Sequence, residues 1–193
     1  MSYPMVHLKV AYGLLARYAG GRVERPGDFL LGAVAPDAVH FHDDYDVSLK
    51  EKSHLWKFGP RWGVTLESED WLDAICKFWE ENRDVENRDF MAGYCTHLLT
   101  DWENDRCIWT PFRERAMQGA DFDEVYGQYA AEAYGFDQWL YQNGKESRKI
   151  WRLLEQGQVY GVNGCIRKED LARQKQSLLN EQFTGKAVVD VSG

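Results

Sequence analysis

The stretch NRDFMAGYCTHLLTDWENDRCIW, residues 87–109, decides how the rest of the chain is read. Phe90, Tyr94, Leu98 and Trp102 recur every four residues, the period of a helix that buries one side. His97 and Asp101 stand on the same run, also four apart, so an imidazole and a carboxylate share one face about one turn from each other. They follow the apolar positions round towards the buried side. A carboxylate there needs a partner, and a metal ion is an economical one. The spacing predicts a helix that stops before Pro111, with Gly93 letting another helix or a ligand come close. Asp105, one turn beyond Asp101, is placed to support such a site, and Glu103 points to solvent.

The neighbouring segments read as helices too. VHLKVAYGLLARYAG has Val6, Val10, Ala11, Leu14 and Leu15 on one stripe, with His7 among them, and stops at Gly20-Gly21. In RPGDFLLGAVAPD, Asp28 is the expected N-cap of a short apolar helix that Pro36 ends. SEDWLDAICKFWEEN, DFDEVYGQYAAEAYGFDQWLYQN, KESRKIWRLLEQG and RKEDLARQKQSLLNEQF all show helical periodicity. Residues 38–53 are polar and acidic without a period and read as a loop. Only GKAVVDVSG, at the end, is rich in β-branched residues, and it reads as a frayed tail. The expectation is an all-α, single-domain multi-helix bundle over residues 1–193, with no repeat and no linker.

Composition narrows the class. The net charge of −8 argues against broad binding to nucleic acid or anionic membranes. No run approaches the length of a transmembrane helix, and MSYPMVHLKVAYGLL lacks the basic start and long apolar run of a signal peptide. Cys76, Cys95, Cys107 and Cys165 form no CxxC and are expected as free thiols, with Cys95 in packing. A cytoplasmic protein is expected. No Gly-rich phosphate loop, GxSxG elbow or dinucleotide fingerprint is present.

The polar residues that do stand out suit a metal. Asp37 ends FLLGAVAPD, His54 lies in KSHLW at the end of the polar stretch, and His97 and Asp101 complete two imidazoles and two carboxylates. That mixed nitrogen and oxygen set fits a catalytic zinc or similar divalent ion. Singly, each residue has a plainer reading. Asp37 serves as a cap, His54 as a solvated loop residue, and His7 as a hydrogen-bonded core histidine. HFHDD, with His40, His42, Asp43 and Asp44, is metal-like in composition but reads as a solvated segment or an auxiliary rim.

In order, HLKVAYGLL, FLLGAVAPDA, KSHLW and GYCTHLLTD resemble the bacterial zinc-dependent phospholipase C family over roughly residues 1–105. The most specific element is the GxxxPD turn followed by a lone histidine and then HxxxD. The fungal single-strand nucleases are similar in arrangement, so the resemblance points to phosphoester chemistry more than to one substrate. It implies an all-helical fold in which Asp37, His54, His97 and Asp101 hold one zinc, and Asp101 bridges to a second bound by His7. Family members add a terminal tryptophan and further histidines. This chain begins MSYPM and has no histidine after His97, so one or two ions are expected. The expected function is metal-dependent hydrolysis of a small phosphoester, with Asp37 as the catalytic residue that orients or deprotonates water. Two alternatives stand beside it: a phosphohydrolase of the HD type using His42-Asp43, and a non-catalytic helical metal-binding protein.

Overall fold

The computed structural model describes residues 2–18, 22–56, 68–162 and 164–184. The segment Gly20-Gly21, expected to end the first helix, and the expected tail 185–193 lie outside the described residues. The described chain is all-α. Helices α1 (Pro4–Tyr18), α2 (Pro26–Gly32), α3 (Val47–His54), α4 (Ser68–Asn82), α5 (Arg88–Asn104), α6 (Thr110–Ala116), α7 (Phe122–Asn143), α8 (Ser147–Gln156) and α9 (Lys168–Ser177) follow in order. A 3-10 helix, Ala35–Phe41, lies between α2 and α3. Two π-turns, Asp105–Trp109 and Leu178–Gln182, extend α5 and α9. The sole extended pairing among the described residues is a bridge between Val162 and Ile166.

Helix α5 is the axis, packed by α1, α2 and α4. It buries Phe90, Tyr94 and Leu98 completely, and its polar His97 and Asp101 on the same side. Helix α2 is buried nearly all round, with Phe29, Leu30 and Leu31 all inside, between α5 on one side and α8 on the other. The α2–α5 crossing rests on two glycines. A Cβ on Gly32 would strike the carbonyl of Phe90, and a Cβ on Gly93 would strike the carbonyl of Phe29. Each obstacle is backbone, which cannot swing aside as a side chain can.

This crossing gives the first test. Gly93→Ala should cost at least about 2 kcal/mol of unfolding free energy, because the helices must separate and open the core. Gly127, exposed within α7 with nothing near its Cβ position, is the control. Gly127→Ala should be neutral or stabilising by up to about 1 kcal/mol. Urea midpoints decide it, and equal midpoints for the two variants would contradict this packing.

Several sequence expectations are corrected. Residues 38–53 are not one loop, since they carry the end of the 3-10 helix and most of α3. His54 is accordingly the last residue of a helix. Asp46 caps that helix by accepting from the Ser48 N–H at 2.7 Å. The helical run does not stop before Pro111. It passes through the π-turn into α6, with Pro111 just beyond the wider turn. Asp28 is not an N-cap. Pro26 opens α2, and Asp28 inside the first turn accepts from the Gln158 N–H (2.7 Å) and the Tyr160 hydroxyl (2.8 Å), tying the segment after α8 to α2.

Candidate metal centre

Four elements bring their polar groups to one place. Helix α1 supplies His7, the 3-10 helix Asp37, α3 His54, and α5 His97 and Asp101. His7, His54 and His97 are fully buried, Asp101 is 1% exposed, and the Asp37 side chain is 19% exposed. The structure thus brings together all five residues singled out from the sequence, with Asp37 the one that reaches solvent.

Two of the three imidazoles, His54 and His97, are aimed by their Nδ1 atoms. His97 Nδ1 lies 3.0 Å from the carbonyl of Ala33. His54 Nδ1 lies 3.2 Å from the carbonyl of Lys50 and 2.9 Å from Ser53 Oγ. A carbonyl only accepts, so both Nδ1 atoms carry the proton and both Nε2 atoms present a lone pair. These lone pairs face each other across 3.3 Å. Two neutral imidazoles have no hydrogen to share there, so a cation between them is what the pair lacks.

The backbone behind His54 is fixed as firmly. Tyr94 donates to the Ser53 carbonyl at 2.6 Å, and Trp71 donates to the His54 carbonyl at 2.8 Å. Immediately after His54, Leu55 takes a left-handed conformation with φ of 54°, and its N–H and that of Trp56 close the end of α3. A non-glycine residue in that region carries strain, which surrounding structure must hold in place.

Around the paired nitrogens the carboxylates complete a shell. His54 Nε2 lies 3.5 Å from Asp37 Oδ1 and 3.7 Å from Asp101 Oδ2. His97 Nε2 lies 3.6 Å from Asp101 Oδ2 and 3.9 Å from Asp37 Oδ2. Donors in a tetrahedral zinc site at 2.0–2.2 Å from the ion stand about 3.4 Å apart. These spacings suit two overlapping donor groups that share His97, one of Asp37, His54 and His97 and one of His7, His97 and Asp101. The other Asp101 oxygen, Oδ1, accepts from the Ser2 N–H at 2.7 Å and lies 3.4 Å from His7 Nε2. The His7 ring stacks on His97 with centroids 3.7 Å apart, and neither of its nitrogens has a hydrogen-bond partner. A buried imidazole without a hydrogen bond, beside a carboxylate that faces both ways, fits a second, bridged ion better than a hydrogen-bonded core histidine.

Burial sets the protonation states. It pushes His7 down to about 3 and His54 to about 4, against the pull of the nearby carboxylates. Burial alone would raise Asp37 and Asp101. Lys50 overcomes it for Asp37, holding it well below the usual carboxylate range, and Asp101 is lowered by the attraction of any positive charge on His7 and His97. Neutral imidazoles and ionised carboxylates are the forms that bind metal. The sign for stability follows. Unfolded histidines titrate near 6.5, so between about pH 6.5 and 4 the unfolded chain binds more protons than the folded one. Metal-free protein should therefore lose stability steadily as pH falls through that window, and further as the two carboxylates protonate below it. Denaturant midpoints measured from pH 7.5 to 4.5 test this, and a flat series would contradict it.

The sequence reading passed over Lys50. Its Nζ lies 3.2 Å from Asp37 Oδ1 and 3.0 Å from His40 Nε2, and His40 Nε2 itself stands 3.7 Å from Asp37 Oδ1. His40 thus belongs to the rim. His42 instead accepts from the Asp44 N–H at 3.1 Å within its own turn. Asp43 is 75% exposed and pairs with Arg173 at 2.7 Å. Asp105 is buried one turn beyond Asp101, and Glu103 is exposed. The four cysteines are free thiols, and Cys95 is buried. Asp37, His40 and Lys50 line a cleft of about 520 Å³ whose walls include Tyr3, Tyr45, Trp109, Tyr126 and Tyr129. Gln174 of α9 also lines it and donates to the Val34 carbonyl at 2.9 Å, pinning the chain just ahead of Asp37. No described helix is long and apolar enough to cross a membrane. Comparison with protein-family models, curated proteins and solved structures finds no match.

Proposed function

We propose that the chain is a metal-dependent hydrolase of small phosphoesters, with zinc at the centre built by Asp37, His54, His97 and Asp101. The observation that carries this reading is the pair of inward-facing Nε2 lone pairs, 3.3 Å apart, between two carboxylates, one of which opens on a cleft. The resemblance of HLKVAYGLL, FLLGAVAPDA, KSHLW and GYCTHLLTD to the zinc-dependent phospholipase C family supports phosphoester chemistry in particular. A divalent ion in this shell supplies Lewis acidity for a phosphoryl oxygen and makes water a better nucleophile near neutral pH.

The residues divide the remaining work. Asp37 stands at the junction of cleft and site, so it meets both the attacking water and the ester. Lys50 keeps its carboxylate ionised and weakly basic, which suits it to orient water by accepting a hydrogen bond more than to hold the proton. Asp101, buried and fixed by the Ser2 N–H, offers a carboxylate oxygen beside His54 and His97, whose rings are held by the Lys50 and Ala33 carbonyls. His7, against the outer oxygen of Asp101, is the group that would hold a second ion. The HD-type alternative gains nothing, because Asp43 lies at the surface on Arg173 and His42 closes a local turn.

Metal analysis of the purified protein, beside assays on a panel of phosphomono- and phosphodiesters, tests the proposal. At least one equivalent of zinc or a similar ion is expected, with hydrolysis that a chelator abolishes and added zinc restores. Stoichiometric metal without hydrolysis of any ester would replace this reading with that of a metal-holding protein.

A further inference from the structure

Lys50 is placed oddly for a residue beside a metal centre. Its side chain is only 9% exposed, and it lies 3.2 Å from an oxygen of Asp37. The ammonium keeps that carboxylate ionised, but once a metal ion is bound the two positive charges repel across it. An anion arriving in the cleft resolves the conflict, because it is attracted by both. Lys50 is also the one lysine or arginine among the described residues that line the cleft, whose walls include six aromatic side chains. His40 Nε2, 3.0 Å from the ammonium, can only accept from it, and so helps to hold it at the cleft.

We propose that Lys50, positioned by His40, binds the phosphoryl oxygens of the substrate, and that this single fixed cation in an aromatic cleft selects esters with one negative charge and an apolar substituent over polyanions. This rests on the phosphoester reading of the adjoining centre. Charge-assisted contacts of this kind hold a phosphoryl group in place, and one cation matches a diester better than a polyphosphate or a nucleic-acid strand. The aromatic walls take up the substituent by stacking or apolar contact.

The test is calorimetric titration of inorganic phosphate into metal-loaded wild-type protein and into Lys50→Met, Lys50→Arg and His40→Ala, with metal content measured for each. Lys50→Met should keep its metal and bind phosphate at least about tenfold more weakly, and Lys50→Arg should recover to within about threefold. For the best ester found, Lys50→Met should raise KM more than it lowers kcat and reduce the preference for diesters over monoesters. Wild-type phosphate affinity in a folded, metal-bearing Lys50→Met overturns the proposal. If that variant fails to fold, His40→Ala decides, since its side chain is 41% exposed and its loss is tolerable. Phosphate binding weakened about threefold supports the role, and unchanged binding overturns it. The two readings fail separately. Phosphate held through Lys50 without hydrolysis of any ester removes the hydrolase and keeps the anion site. Hydrolysis indifferent to Lys50 does the reverse.

Discussion

His97→Ala should yield protein with almost no bound metal, its affinity lowered about a hundredfold or more. His97 is the residue common to both possible donor groups, one with His7 and Asp101 and the other with Asp37 and His54. Its loss therefore dismantles either centre, whichever is occupied. The variant also leaves a cavity on α5 and removes the partner of the Ala33 carbonyl, for a combined cost of about 2–4 kcal/mol. Circular dichroism separates the two effects, because a folded variant without metal isolates the ligand role. A folded variant with wild-type metal content would mean that the ion sits elsewhere.

Removing the metal from the wild-type chain should lower its melting temperature by roughly 10 °C. An ion present at about a thousand times its dissociation constant stabilises by about 4 kcal/mol. In a domain of this size each kcal/mol is worth roughly 2–4 °C. The origin of the effect lies in the site itself. Without the ion, two buried imidazoles face each other lone pair to lone pair, and ionised carboxylates beside them lose their strongest counter-charge. Differential scanning calorimetry before and after dialysis against a chelator measures it. An unchanged melting temperature after verified metal removal would show that the site contributes nothing to the fold.

Much of this architecture was legible because α4, α5 and α8 bury apolar stripes, and periodicity reports such stripes directly; in α1 the stripe was misplaced, since Val10 and Leu14 are exposed and Met5, Leu8 and Ala11 face the core. The same rule explains the misses. The residues α3 buries are Lys50, Ser53 and His54, which are polar because they face the site. A helix with that inner face has no hydrophobic period and reads as a loop. The 3-10 helix around Asp37 is too short and irregular to leave a pattern of its own. Asp28 looked like a cap because caps and buried acceptors draw on the same residue types, and only the fold brings the Gln158 N–H and Tyr160 to it.

Site residues were legible in a similarly uneven way. Histidines and aspartates announce themselves by chemistry, and the four-residue spacing of His97 and Asp101 places them on one face. His7 could be read two ways until its stacking on His97 and its nearness to Asp101 were seen. Gly93 signalled a close approach, but its sequence carried no hint that α2 was the partner. Lys50 gave no signal, since a lysine in a polar run is ordinarily solvated. Its neighbours in the sequence are Leu49 and Glu51, whereas its neighbours in space are Asp37 and His40.

The most direct measurement of the central claim is X-ray absorption at the metal edge of the protein as purified. The account predicts a first shell of nitrogen and oxygen only, at about 2.0–2.2 Å, with the outer-shell scattering of two imidazoles. That pattern should lose imidazole scattering in His54→Ala. Sulfur at about 2.3 Å, or a shell without imidazole, would place the metal on the cysteines or the surface and contradict the assignment to Asp37, His54, His97 and Asp101.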